Sequence, residues 1–288
     1  MDADTFTDLE VINYVNSNLK AAKMHADSTE GRALIEHYKV AAYPTIVLVD
    51  SDSVEIDRII GYLPPEEFLS ELQRIQHGER TIADYVNKTA NNPNDIDSWM
   101  KLASKYEDRG DLLSTLEVWE SINEANAGDK SFAYYKLIEL RAHINNDVEK
   151  LEFFIADNIN SEYAQEAFKN IIRIFRRSKD FEAEADAWRR YANLMELKKM
   201  YTASFYNSFA WRMSELDKHL DKALERIRIA LEMVAEDDSS TLAGYMDTEA
   251  EVLWKMGKNE EAIKVIDKSI ALQPNDTYLQ DQRAKFLE

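Results

Sequence analysis

The side chains to weigh first for metal or proton chemistry are five histidines, His25, His37, His77, His143 and His219. A helical metal site needs two of them four residues apart on one face, and no pair has that spacing. Surface or core histidines are therefore expected. Cysteine is absent, so this chain offers no disulfide, thiolate nucleophile or thiolate metal ligand. With 54 acidic residues against 35 basic ones, close carboxylate pairs are unavoidable and carry no meaning without a pocket. The densest basic patch, Arg173, Arg176 and Arg177 with Lys179, reads as a solvated helix face or as a contact for an acidic partner. Trp99, Trp119, Trp188, Trp211 and Trp254 fall at repeated apolar positions and read as packing. No catalytic, cofactor-binding or metal-binding residue is predicted, and no cofactor.

The elements that must carry these residues are mostly helices. Only seven Gly and five Pro occur, and Leu, Ala, Glu and Lys dominate, which favours long helices and short turns. At 288 residues the chain is long enough for two domains. A formal charge of −19 repels phosphate backbones and anionic membrane surfaces, so nucleic acid is not an expected partner. There is no run of 18 apolar residues, and Met1 to Asp8 are acidic and polar. Neither a membrane span nor a signal peptide is visible.

A repeat organises the chain from about Thr81 onward. In its first unit, large residues Trp99, Leu102, Tyr106 and Trp119 accompany small Ala103, and Arg109-Gly110-Asp111 breaks two amphipathic stretches. Glycine there ends the first helix. The last unit repeats the layout with Ala250, Leu253, Gly257, Ala262, Ile266, Ser269 and Pro274. Small Ala250 and Ala262 allow close helix approach, and Pro274 stops the second helix. These positions resemble the tetratricopeptide repeat (TPR), which has a small residue in each helix, a Gly turn between them and a terminal Pro. Equivalent positions at Trp99, Tyr134, Phe168, Asn207 and Met246 step by about 35, 34, 39 and 39 residues, near the usual period of about 34. The expectation is a TPR-like α/α superhelix of about five hairpins over residues 81–288. Asn145-Asn146 and Lys179-Asp180-Phe181 replace the Gly turn in the second and third units, Trp188 and Tyr191 pack the third, Glu236 to Leu242 is a loop, and Thr277 to Leu287 is a capping helix.

Stacked hairpins of this kind leave a concave face, and the resemblance implies that a protein or peptide binds there. Some members of that family clamp acidic C-terminal peptides with Lys, Arg and Asn. No matching set is present, and the charge opposes it.

Residues 1–76 follow another pattern. Val11, Tyr14, Val15 and Leu19 share one face of a helix over Phe6 to Leu19, Lys20 to Ala26 reads as a short strand, and Gly31 to Tyr38 as a second helix. Thr45 to Val49 is a β-branched strand, turned at Asp50 to Ser53 into a second strand, Val54 to Ile60. Gly61 and Pro64-Pro65 lead into a helix over Glu66 to Ile75.

This order, with Tyr38-x-Val40-x-x-Tyr43-Pro44-Thr45 before the hairpin and Gly61-Tyr62 after it, resembles the last two-thirds of a thioredoxin-like domain. The fold class expected is therefore mostly α, the repeats being preceded by an incomplete α/β thioredoxin-like domain. The resemblance implies that Pro44 is cis and that Tyr43, Pro44 and Thr45 form a peptide-binding edge beside a redox site; a purely structural turn is the other reading. The family's Cys-x-x-Cys and the strands before it are not in this chain. The resemblance implies that Met1 is an internal codon just past that motif, and that the parent is a thiol–disulfide oxidoreductase of the bacterial cell envelope. The family's missing strand would lie between Lys20 to Ala26 and Thr45 to Val49. Residues 1–75 are then expected to be loosely folded, re-paired, or completed by another chain. The two functions left open are an interaction scaffold and a fragment of that oxidoreductase.

Overall fold

The computed structural model describes residues 1–124 and 130–287; Glu288, the expected end of the repeats, lies outside them. The chain forms two compact units, Met1–Ile144 and Asn145–Glu288.

The first unit opens with a 3-10 turn, Thr5–Thr7, then α1 (Leu9–Asn18), α2 (Thr29–His37), β1 (Thr45–Val49), β2 (Glu55–Ile60) and α3 (Pro65–Gln76). The expected helix over Phe6 to Leu19 is broken at Asp8, whose carboxylate accepts from the Glu10 and Val11 amides at 2.9 and 3.1 Å. Aspartate satisfies orphan N–H groups as a cap better than it continues a helix. β1 and β2 pair antiparallel, Ile46 opposite Ile59 and Leu48 opposite Asp57. Leu48 and Ile59 bury against Val11 of α1 and Phe68, Leu72 and Ile75 of α3. The expectation of a strand at Lys20 to Ala26 is not met. That segment has no regular structure, and Lys20 to His25 are exposed, because a strand needs a neighbour for its amides and an apolar face, and this charged, alanine-rich stretch has neither.

The rest of the unit is helical: α4 (Ile82–Asn91), α5 (Ile96–Asp108), α6 (Leu112–Glu124) and α7 (Lys130–Asn145). α5 and α6 form the first hairpin. Leu102 and Ala103 of α5, Trp119 and Ile122 of α6, and Ala133 and Leu137 of α7 share one core with Tyr85 of α4.

The second unit is entirely helical among its described residues: α8 (Glu149–Asp157), α9 (Tyr163–Ser178), α10 (Phe181–Leu197), α11 (Ala203–Leu216), α12 (Leu220–Glu232), α13 (Ser239–Lys255), α14 (Asn259–Leu272) and α15 (Thr277–Phe286). α9/α10, α11/α12 and α13/α14 are hairpins in TPR-like pairing, and α15 packs on α14. Fully buried Ala210, Ala223, Ala250 and Ala262 let the paired helices approach closely. The helices expected in the second hairpin are α7 and α8, one in each unit. The expected loop over Glu236 to Leu242 is shorter than read. α13 already begins at Ser239, because Asp238 caps it by accepting from the Thr241 amide at 3.1 Å.

The turns explain how degenerate units keep the hairpin. Gly110 (φ 63°) and Gly257 (φ 74°) are left-handed, and so are Asn146 (φ 54°), Lys179 (φ 60°) and Asp217 (φ 54°). One left-handed residue ends the helix in each case. Side chains other than Gly hold that conformation at a cost of about 1 kcal/mol. Lys179→Gly is therefore expected to raise the unfolding free energy by about 1 kcal/mol in urea titration; a loss of stability would show that the lysine side chain contributes more than its backbone strain removes.

Candidate functional site

Tyr43, Pro44 and Thr45 lie between α2 and β1, and the Tyr43–Pro44 peptide is cis. Tyr43 is 65% exposed. The Gly61 amide donates to the Pro44 carbonyl at 2.8 Å, Thr45 Oγ1 donates to the Ala42 carbonyl at 2.8 Å, and Tyr62, exposed beside Gly61, donates its hydroxyl to Asp4. The loop is therefore pinned on the β2 side, while the Tyr43 ring stands in solvent. It could stack on a partner.

The same hairpin carries a charged cluster that sequence reasoning missed. Asp57 is 2% exposed. It accepts from Arg74 of α3 at 2.9 Å and from Lys105 of α5 at 2.7 and 2.8 Å, and from the Arg58 amide at 2.9 Å. The neighbouring Arg58 guanidinium, also buried, donates to both Glu55 carboxylate oxygens at 2.7 Å, to the Tyr38 carbonyl at 2.7 Å and to the Asp108 carbonyl at 2.8 Å. Arg109 adds bonds to the Glu55 and Ile56 carbonyls, and Lys39 reaches the Gly110 carbonyl at 3.2 Å. Paired, hydrogen-bonded charges are the form in which buried ions are tolerated. The cluster ties the sheet to the first hairpin. The sequence signal was an acid and a base adjacent within an otherwise strand-like run, Val54 to Ile60.

In the second unit, charged pairs cross from one hairpin to the next. Arg212 of α11 donates to Glu184 of α10 at 2.7 and 2.8 Å, Arg226 of α12 to Glu196 of α10 at 2.7 Å, and Arg228 of α12 to Glu249 of α13 at 2.7 Å. Burial pushes Glu184 up, but Arg212 and Arg176 more than reverse it, so its carboxyl titrates below the usual range. Ten residues before the left-handed turns of three successive hairpins stand Lys169, Asn207 and Asp247. Asn207 is half-buried and Asp247 is 5% exposed. One side-chain oxygen of each, Oδ1 in both cases, accepts no hydrogen bond among the described residues.

The other candidates do not converge. Arg176 bonds inward to Glu184 at 2.9 Å, Arg173 reaches Asn170 on its own helix, Arg177 approaches Asn146, and Lys179 is the turn residue. His37 stands edge-on to Tyr38, and His219 sits left-handed before α12, held below its usual pKa by burial and by Arg189. No group of His, Asp and Glu among the described residues could hold a metal ion. Trp119 is buried; Trp99, Trp188, Trp211 and Trp254 are half-buried, and Trp188 packs tilted against Tyr191 and Phe205 and edge-on against Phe209.

Residues 2–76 match the family described as "Thioredoxin-like domain". No curated protein matches the chain. Solved structures similar to it are TPR and other proteins at low identity. YrrB, a TPR protein with an unusual peptide-binding site, is 16% identical over 69% of this chain and 97% of its own, with a TM-score of 0.46. BtubC from P. vanneervenii is 17% identical over 67% of this chain and 87% of its own, TM-score 0.45. A thermophilic TPR protein of Thermus thermophilus is 19% identical over 77% of this chain and 94% of its own, TM-score 0.30.

Asp247 yields a pH test. Burial lifts its pKa to about 6, with Glu251 adding to the rise and the Tyr278 hydroxyl, 3.2 Å away, and Lys285 opposing it. A carboxyl whose native pKa exceeds its unfolded value binds more protons folded than unfolded between those values. Stability therefore falls as pH rises from about 4 to 6 and stays lowered above. Asp247→Asn is expected to remove that fall and to gain on the order of 2 kcal/mol at pH 7, read by urea titration at pH 4.5 and 7. An equal effect at both pH values would contradict it.

Proposed function

We propose that this chain is a protein-interaction scaffold. Residues 81–288 act as the binding domain, receiving a protein or peptide segment on the concave face that stacked hairpins leave, and residues 1–76 act as a thioredoxin-like domain without thiol chemistry. The reading is carried by Asn207 and Asp247, at equivalent positions on the first helices of consecutive hairpins, each with an acceptor oxygen that has no partner among the described residues. Buried acceptors without donors are costly to keep; both oxygens are closed to solvent, so a bound segment's N–H groups would satisfy them once the side chains that cover them move aside. Exposed Lys169, at the same position one hairpin earlier and bonded to Glu166 at 2.6 Å, has further N–H groups for that segment's carbonyls. The charge of −19 favours a neutral or basic segment over an acidic one. Tyr43, Pro44 and Thr45 would then serve as a second, separate peptide-binding edge. No described helix is long and apolar enough to cross a membrane.

A second reading, in which the hairpins are the partner arm of a thiol–disulfide oxidoreductase, draws on the match of residues 2–76 to the thioredoxin-like family. This chain contains no cysteine, so any such chemistry would use thiols that these residues do not supply.

Peptides selected from a random display library on the intact chain are expected to lose at least tenfold in affinity on Asn207→Ala and on Asp247→Ala, and to be unaffected by Lys222→Ala on α12. Selected peptides indifferent to both substitutions, or a library that yields no binder, would overturn the reading.

A further inference from the structure

The first helices of the second unit carry another repeated position. Six residues before the left-handed Lys179, Asp217 and Gly257 stand Arg173, Trp211 and Glu251, each four residues after Lys169, Asn207 or Asp247 and so on the same helix face. Charge changes in steps across these three helices. α9 holds two cations on that face: Lys169 meets Glu166 at 2.6 Å, and exposed Arg173 bonds the neutral Asn170 at 2.6 Å. α11 is uncharged there, with Asn207 and Trp211 both half-buried. α13 holds two carboxylates against one ammonium. Lys285 of α15 donates to one Glu251 oxygen and the Tyr278 hydroxyl donates to Asp247, while the other Glu251 oxygen accepts nothing among the described residues. Burial, with Glu251 adding to it, holds the Asp247 pKa up at about 6 although Tyr278 and Lys285 oppose the rise, so a further cation there is favourable.

We infer that the segment bound by the second unit is bipolar: it sets an acidic side chain on Arg173, an apolar or aromatic one on Trp211 and a basic one on Glu251. The inference rests on the scaffold reading above and names the chemistry of its partner. Lys169, Asn207 and Asp247 would hold the segment's backbone, and the second row would read its side chains. Arg173 brings a planar fork that suits a carboxylate. Trp211 brings a half-buried indole that suits an uncharged side chain. Glu251 already takes an ammonium from α15, and a lysine or arginine of the segment would bring the same charge to its other oxygen. A segment with one acid and one base is neutral, so the charge of −19 does not repel it as it would an acidic tail. The opposite placement would set like charges together at both ends, which selects one orientation. At least two helix spacings of roughly 8 to 10 Å lie between α9 and α13, and an extended chain rises about 3.3 Å per residue. The acid and the base should therefore stand about six residues apart.

Peptides selected from a random display library on the intact chain are expected to share an acidic and a basic residue about six apart, with an apolar or aromatic residue between them. Selection on Glu251→Gln, which keeps the side chain's shape, should retain the acid and lose the base. A selected peptide whose acid is changed to lysine should bind the unsubstituted chain about tenfold more weakly, and Arg173→Glu should restore its affinity, because the exchanged charges attract again. Arg173 is exposed, so its exchange leaves the core untouched, and a merely destabilised variant would not regain affinity for the altered peptide. Binders that lack the paired charges, or an altered peptide that stays weak on Arg173→Glu, would overturn the inference and leave the scaffold reading standing. A library that yields no binder would overturn both.

Discussion

Asp57 is the residue on which the first unit turns. Its carboxylate lies at the middle of a strand, almost wholly removed from water, and it is tolerable there only because Arg74 comes from the helix behind the sheet and Lys105 from the first hairpin. Removing Asp57 would leave Arg74 with Glu71 and the Glu79 carbonyl and Lys105 partly exposed, so the cost is expected below the roughly 3 to 5 kcal/mol of a fully stranded buried charge. The thioredoxin-like segment supplies Arg74 to Asp57 from its own helix, and Lys105 of the first repeat adds the second cation, so the two parts are joined through one carboxylate. Two strands and two packed helices make a small core, since a hairpin of strands is marginal by itself. The bonds from Arg58 and Arg109 between β2 and the first hairpin turn supply neighbours that a fuller sheet would otherwise provide.

The repeats obey the same logic with different chemistry. A single helical hairpin cannot cover its apolar stripe, so stability comes from the next hairpin along. Where the repeat sequence is degenerate, small alanines still set the close approach, and a left-handed residue still closes the turn, whether it is Gly110 and Gly257 or Asn146, Lys179 and Asp217. Register between neighbours is then held by carboxylate–guanidinium pairs such as Glu184–Arg212 and Glu196–Arg226. Arginine suits that task because its planar fork fixes direction as well as charge.

Much of this was legible from residue spacing. The anchors Trp99, Tyr134, Phe168, Asn207 and Met246 each fall within a first helix, because the helical period and the small-residue positions are local properties of sequence. The cis peptide at Pro44 was implied by resemblance to a known family. Illegible features were those decided by long-range partners. Lys20 to Ala26 has strand-like length, but whether a segment becomes a strand depends on a neighbour that its own residues cannot reveal. Asp57 and Arg58 look like surface charges until residues 17 to 50 positions away close around them. The orphan oxygens of Asn207 and Asp247 were hidden for the same reason, since an unmet hydrogen bond is a property of surroundings, not of composition.

Hydrogen exchange of Asp57→Ala against the unsubstituted chain, resolved by peptide, tests the joined first unit most directly. Because one carboxylate serves both parts, faster exchange is expected in β1, β2 and α3 together with α5 and α6, all by a similar factor. Faster exchange confined to residues 45–76, with α5 and α6 protected as before, would contradict that coupling.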